Sequence, residues 1–261
     1  MRKENLNPFG VVFHIDSFGG LDVDVLHEAL LREKLIVVRG LCELQKEEFL
    51  NLVLKFSKPS SNIEERLLHW SFGPVMELQV DPKPENYLFS TENVPFHWDG
   101  AFHREPSYLA FNCLLAPEEG CGGETLFCDT EKIYQDLAPA ELKNLESCQL
   151  TYQTEKKAHY GGEVTVPILQ KHPKTGGPIL RYAEAVETEL NPVKLKVAGL
   201  EGRTPEEFQK LMKERIYGER YCYQHRWQKD DILLVDNFAT IHGRNAFTKN
   251  TPRHIRRIQV L

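Results

Sequence analysis

Apolar and polar positions follow two different periods along this 261-residue chain, and the change of period divides it. Near the N-terminus, DVDVLHEALLREKLIVVRG spaces its apolar residues three and four apart, which predicts an amphipathic helix to about Glu33. A continuous apolar run over residues 35 to 38 then predicts a buried strand, closed by Gly40. QKEEFLNLVLKF, residues 45 to 56, returns to helical spacing and predicts a second helix beside the first. Beyond residue 85 the pattern becomes short apolar runs between Gly/Pro turns. PSYLAFNCLL, VPILQKHPKTGGPILRY, DDILLVDN and RHIRRIQVL each predict strand, and residues 172 to 177 predict a hairpin turn. One late helix stands out: TPEEFQKLMKERIYG offers Thr204 as N-cap, Pro205 at the first helical position, Glu207 to close a capping box, and Gly218 to end it. Short strands with a few inserted helices predict a mostly-β fold, a sandwich or jelly roll with outer helices on one sheet. No repeat or linker-like segment interrupts the chain, so a single domain over residues 1–261 is expected.

Composition narrows the partners more than the chemistry. A hydrophobic content of 41% and a charged content of 27% are those of an ordinary globular enzyme. The net charge of -6 gives no basic patch, which argues against nucleic acid or an anionic membrane as partner. No apolar run is long enough to span a bilayer, and MRKENLNPFGVVF lacks the apolar core of a signal peptide. The six cysteines form no CxxC pair, which fits reduced thiols and a cytoplasmic location.

The stretch VPFHWDGAF sets His97 and Asp99 one residue apart. Side chains at i and i+2 of a strand share a face, so both can meet one ion. Two neutral imidazoles and a carboxylate suit Fe(II), leaving positions open for a bidentate co-substrate and O2. The third ligand would be His242 in DNFATIHGRNAF, 143 positions beyond Asp99. Taken alone, His-x-Asp also describes a buried histidine bonded to a neighbouring carboxylate. Arg253 and Arg257, 11 and 15 positions after His242, shift the balance. Their even offset puts both on one strand face, where a guanidinium fork suits a carboxylate. The alternative is a solvated edge strand whose charges block edge pairing.

With these pieces in order, the chain resembles the Fe(II)/2-oxoglutarate-dependent dioxygenases of the taurine dioxygenase (TauD/TfdA) type. The resemblance rests on His97-x-Asp99, GGETLFCD at 122 to 129, DNFATIHGRNAF and PRHIRR. It implies a double-stranded β-helix, the jelly roll or cupin-like barrel, with the metal at one mouth. It also implies that Thr125 and Arg253 hold the distal carboxylate of 2-oxoglutarate. Arg257 would contact the near carboxylate or an acidic group of the substrate. Halogenating relatives carry a small residue at Asp99, so the intact aspartate disfavours halogenation. WSFGPVMELQ, NVPFHWDGAF, EKKAHYGGEVTVPILQKHPKTGGPILRYAE and HRWQKDDILLVDNFATIHGRNAF further resemble the pyoverdine-cluster dioxygenases of isonitrile biosynthesis. That likeness implies an isonitrile synthase as functional partner and a 2-isocyano-3-aryl-propanoate, derived from tyrosine or tryptophan, as substrate. The product would be its α,β-unsaturated form, or a vinyl isonitrile if carbon dioxide is also lost. Hydroxylation is the competing outcome.

Other residues carry two readings each. His69 in HWSFGP is a substrate-facing histidine or a structural one, and Asn93 lines the substrate mouth or serves a turn. Arg181 in PILRYAE meets a substrate carboxylate or forms a rim salt bridge with Glu184. His159 and Tyr160 belong to a glycine-containing turn or a lid. Phe96, Trp98 and Phe102 form an aryl wall or core, and Trp98, opposite its two neighbours, is expected to face the core rather than substrate. Arg226 is expected to brace the turn before the last strands. Competing functions are a hydroxylase of another small carboxylate or sulfonate, a non-catalytic metal- and acid-binding barrel, and a zinc hydrolase. The last lacks an obvious general base and gives the paired arginines no role.

Overall fold

Two antiparallel sheets face each other, and the site lies between them. The structure, a computed structural model, describes residues 1–157 and 160–261. The larger sheet has the order Arg2–Asn5, Val11–His14, Leu35–Arg39, Ile232–Asp236, Tyr108–Leu115, His254–Val260, Met76–Gln79. Its neighbours are antiparallel except Val11–His14 against Leu35–Arg39. The smaller sheet runs Cys222–His225, Thr125–Asp129, Thr240–Arg244, Val94–His97. Leu109, Phe111, Leu233, Val235 and Ile255 of the larger sheet pack on Phe127 and Trp227, which fills the space between the layers. This is the expected jelly-roll arrangement, with both sheets open at their edges.

The helices do not all lie on one sheet, as the strand pattern led us to expect. Val23–Glu33 and Lys46–Leu54 cover the outer face of the larger sheet, burying Leu26, Leu30, Phe49 and Val53 against Ile36, Val38, Leu234 and Ile258. Pro205–Ile216 packs behind the smaller sheet, burying Phe208, Met212 and Ile216 with Leu126, Cys128 and Ile241. Each sheet carries apolar side chains on both faces, so each needs an outer layer. Local chemistry sets where the helices start. Asp22 accepts hydrogen bonds from the Asp24 and Val25 amides. Thr204 and Glu207 form the reciprocal capping box, worth about 1 kcal/mol at such a terminus. The turn over residues 172 to 177 joins Leu169–Lys171 to Pro178–Leu180, closed by the His172 N–H donating to the Gly177 carbonyl at 2.7 Å. Gln149–Lys157 and Tyr160–Pro167 pair as a hairpin, so the segment read as a glycine turn begins a strand at Tyr160; His159 lies outside the described residues.

Strand parity then sorts the inner face. Thr125 and Phe127 point inward while Leu126 and Cys128 join the outer core, and His242 points inward while Ile241 does not. In the last strand Arg257 and Gln259 face inward, and Ile258 and Val260 pack on the helices. A register shift between His254 and Ile255 leaves Arg253 on the same inner side. No helix among the described residues is long and apolar enough to cross a membrane.

Candidate active site

His97 closes the edge strand of the smaller sheet, and its Cα partner across the ladder is His242. The two rings stand 4.3 Å apart, centroid to centroid. Asp99 follows on the chain, with Oδ1 3.7 Å from His97 Nε2 and 3.6 Å from His242 Nε2. One donor atom from each of the three lies within 4.8 Å of the others. His97 Nδ1 donates to the Pro95 carbonyl at 2.9 Å, which leaves the lone pair on Nε2, the nitrogen facing Asp99.

Two side chains hold the Asp99 carboxylate and a third holds its backbone. Arg257 Nη1 donates to Asp99 Oδ2 at 3.0 Å, and the Gln259 amide donates to the same oxygen. The Asn237 side chain clasps the backbone, accepting from the Asp99 N–H at 2.9 Å and donating to its carbonyl at 3.1 Å. Gly100 turns the chain away at φ +86, where a Cβ would stand 2.3 Å from the Arg104 carbonyl oxygen.

Burial sets the protonation of the three groups. It brings His242 down to about 3, helped by His97, and lowers His97 as well. Burial alone would raise Asp99, but Arg257, the two histidines and the Gln259 hydrogen bond together hold it below the usual carboxylate range. At neutral pH the cluster is therefore two neutral imidazoles and one anion, a donor set that fits a divalent iron.

Next to the histidines lies a recess of about 40 Å³, bordered by Thr125, Arg244, Arg253 and Arg257. Arg253 is 8% exposed, reaches Thr125 Oγ1 at 3.4 Å through Nη2, and has its Nε buried without a partner. Trp227 Nε1 donates to the same hydroxyl at 2.9 Å and fixes it. Burial, and then the neighbouring Arg244, bring Arg253 down to about 9. No carboxylate lies within ion-pair distance of it among the described residues. The guanidinium fork and the fixed hydroxyl suit the carboxylate end of an organic anion. Arg244 donates through its two terminal nitrogens to the carbonyls of Leu88, Ser90 and Glu92 at 2.6 to 2.8 Å.

A larger cavity of about 240 Å³ opens on the other side of the triad. His97, Asp99, Arg257 and Gln259 form one wall, and Trp70, Phe72, Phe102 and Val193 stand among its apolar residues. Trp98 also borders it, which corrects the expectation that this side chain meets only core. Its ring packs edge-on to Tyr152 and its Nε1 donates to Glu105 at 2.7 Å.

Three predicted substrate residues are placed elsewhere. Leu68 and Trp70 border the cavity but His69 does not, because the extended chain turns alternate side chains away; its Nε2 is buried without a partner. Asn93 is exposed, one residue before the strand Val94–His97. Arg181 is 1% exposed and stacks 4.5 Å from the Trp98 ring, donating to the Asn237 carbonyl at 2.7 Å. Its acid is Glu105 at 3.1 Å, not Glu184. It supports the cavity wall from behind. Phe96 is fully buried against Tyr217, Phe102 borders the cavity, and Arg226 is exposed. Gln259, Asn237 and Trp227 were not anticipated. Gln259 shares Arg257's parity and was reachable from that alone.

The family of taurine catabolism dioxygenases, TauD and TfdA, matches residues 3–259. The chain belongs to the taurine catabolism dioxygenase TauD, TfdA family. This TauD, TfdA-family protein is thus an oxidoreductase that uses Fe(II), 2-oxoglutarate and O2 on a small molecule. It is 40% identical to the 3-((Z)-2-isocyanoethenyl)-1H-indole synthase of Fischerella ambigua, over 99% of this chain and 94% of that one. To the tyrosine isonitrile desaturase of Pseudomonas aeruginosa it is 34% identical, over 73% and 67%. A solved structure of PvcB, an Fe, alpha-ketoglutarate dependent oxygenase from an isonitrile synthetic pathway, superimposes with a TM-score of 0.78 at 26% identity. The match covers 98% of this chain and 87% of PvcB.

Proposed function

We propose that the whole chain, residues 1–261, acts as one catalytic domain that desaturates an aryl isonitrile carboxylate derived from tyrosine or tryptophan. The observation that carries this is the shared wall: a cavity with aromatic sides is bordered by His97, Asp99 and Arg257. The indole isonitrile product named for the Fischerella ambigua relative favours the tryptophan-derived substrate and loss of its carboxylate. An isonitrile synthase would then supply the substrate. The six cysteines are free, in keeping with a cytoplasmic setting.

In this reading His97, Asp99 and His242 hold the iron. Thr125 and Arg253 grip the distal carboxylate of 2-oxoglutarate, and Arg257 faces the near end. Bound there, the iron supplies a two-electron oxidation driven by O2 and by decarboxylation of 2-oxoglutarate to succinate. The residues of the chain do the positioning. Trp227 fixes the Thr125 hydroxyl as an oriented partner for a carboxylate. Gln259 and Asn237 keep Asp99 from rotating. Trp70 and Phe102 offer apolar surface on which the ring would pack with its benzylic carbon toward the triad. Net, the substrate loses a benzylic hydrogen together with either its α-proton or its carboxylate as carbon dioxide, and the alkene takes the remaining electron pair. O2 is reduced, one oxygen entering succinate and the other leaving as water.

A taurine-like sulfonate would leave these apolar walls unfilled. The test is mass spectrometry of products from tyrosine- and tryptophan-derived isonitriles under O2, with succinate measured alongside. Loss of two mass units, or of carbon dioxide plus two hydrogens, is expected at one succinate per product. Turnover of neither isonitrile, beside turnover of small sulfonates, would overturn the proposal.

A further inference from the structure

One buried acid on the substrate cavity has no part in the roles above. Glu184 is 9% exposed and borders the cavity. Its Oε2 accepts from the Phe96 N–H at 2.9 Å and from the Tyr217 hydroxyl at 2.8 Å. Its own N–H donates to the Phe96 carbonyl at 2.9 Å. The carboxylate is thereby fixed beside the residue that precedes His97. Its other oxygen, Oε1, forms an ion pair with Lys213 Nζ at 3.6 Å, longer than a hydrogen bond, and that lysine side chain is 68% exposed. A carboxylate offers about four acceptor sites, so Oε1 retains capacity for a donor.

The acid and the cavity's arginine approach from opposite layers. Glu184 fastens to the smaller sheet through Phe96, while Arg257 rises from the larger sheet and touches Asp99. A ligand that fills the cavity meets the wall of His97, Asp99 and Arg257 at one side and the glutamate at another. We propose that Glu184 is a specificity-determining residue that accepts a hydrogen bond from the N–H or O–H on the substrate's aryl ring. The inference rests on the aryl isonitrile reading and adds that the ring carries a donor. An indole or a phenol fits, and an unsubstituted phenyl ring does not. A ring without a donor leaves a desolvated carboxylate oxygen against carbon, a mismatch that costs about 10- to 100-fold in kcat/KM.

The test compares matched pairs that differ only in the donor: tryptophan isonitrile with its benzothiophene analogue, and tyrosine isonitrile with phenylalanine isonitrile. Wild type should prefer the donor member of at least one pair by about 10- to 100-fold. Glu184→Leu should bring that ratio to within about threefold, because it removes both the acceptor for the donor ring and the desolvated oxygen that penalises the other. Glu184→Gln keeps the shape and an acceptor for Phe96 but turns N–H toward the cavity, and should lose the preference too. Quenching of Trp70 and Trp98 fluorescence on ligand addition to the metal-free protein gives the same ratios as Kd values, independent of turnover. A role confined to fastening Phe96 would weaken both members of a pair equally; an unchanged ratio in the variants, or no preference in wild type, overturns the inference. Failure of wild type to act on any isonitrile would instead overturn the reading beneath it.

Discussion

If Arg253 serves the co-substrate, as proposed, its removal should stabilise the ligand-free protein. Its guanidinium is buried, its Nε has no partner, and its closest polar contact is Thr125 Oγ1 at 3.4 Å. Burial and Arg244 bring it from 12.5 to about 9. At about 1.4 kcal/mol per unit, holding the charge there costs on the order of 5 kcal/mol, an upper figure that relaxation and water reduce to about 1–4 kcal/mol. Arg253→Met fills most of the same volume without the charge. In a chain of this length about 2–4 °C accompanies each kcal/mol, so the variant should melt roughly 3–10 °C higher in chelator-treated protein. Saturating 2-oxoglutarate with Mn(II), at about 100 times Kd, should add about 2.7 kcal/mol to wild type and almost nothing to the variant. Differential scanning calorimetry with and without these ligands reads both effects. If Arg253→Met melts below wild type in the absence of 2-oxoglutarate, or keeps the ligand shift, the guanidinium is not reserved for the co-substrate.

Gly100→Ala places a Cβ 2.3 Å from the Arg104 carbonyl oxygen at a φ of +86, so the Asp99 backbone must shift; Fe(II) affinity by equilibrium dialysis should fall at least tenfold, with the melting temperature lowered by only a few degrees. Arg244→Lys cannot reach the carbonyls of Leu88, Ser90 and Glu92 together, which should cost about 2–4 kcal/mol and speed amide exchange selectively over residues 86 to 93. The metal-free protein should lose stability on mild acidification. His242, held near 3 when folded against 6.5 for the free side chain, stays neutral while the unfolded chain takes up a proton. Its contribution is complete above about pH 6.5 and declines by about 1.4 kcal/mol per unit as pH falls toward 3. His97, His27 and His225 act in the same sense. Urea melts from pH 7 to 4.5 should show this slope, reduced by about one proton in His242→Gln, and an identical slope in that variant would refute the assignment.

What sequence made legible here were the features governed by one or two neighbouring residues. The Thr204/Glu207 capping box is local, so the helix Pro205–Ile216 was predicted almost to its ends. Strand parity is equally local, and it brought His97 and Asp99 to one side and Arg253 and Arg257 to another shared side. Features that depend on the path of the chain escaped. Asn237 holds Asp99 across 138 residues, and Trp227 meets Thr125 across 102. Neither carries a local signature. His69 and Asn93 were placed by motif position, yet one step of alternation turns His69 from the cavity and a bend leaves Asn93 in solvent. Arg181 was matched to the acid nearest in sequence, whereas the folded chain offers Glu105. The helices lie behind both sheets because the smaller sheet's outer face is also apolar, a fact its short, wholly buried strands conceal.

Leu88, His97 and Arg257 border both cavities, whereas Trp70, Phe72, Phe102 and Val193 border only the larger one. Inheritance acts differently on these two groups. In the proposed reading, a change at the shared wall alters co-substrate and substrate binding together. A change at the aromatic end alters only which molecule is welcomed. New substrates can therefore arise by drift at the far end of the cavity while the oxidising machinery is passed on intact, and a designer seeking a different aryl group should begin there.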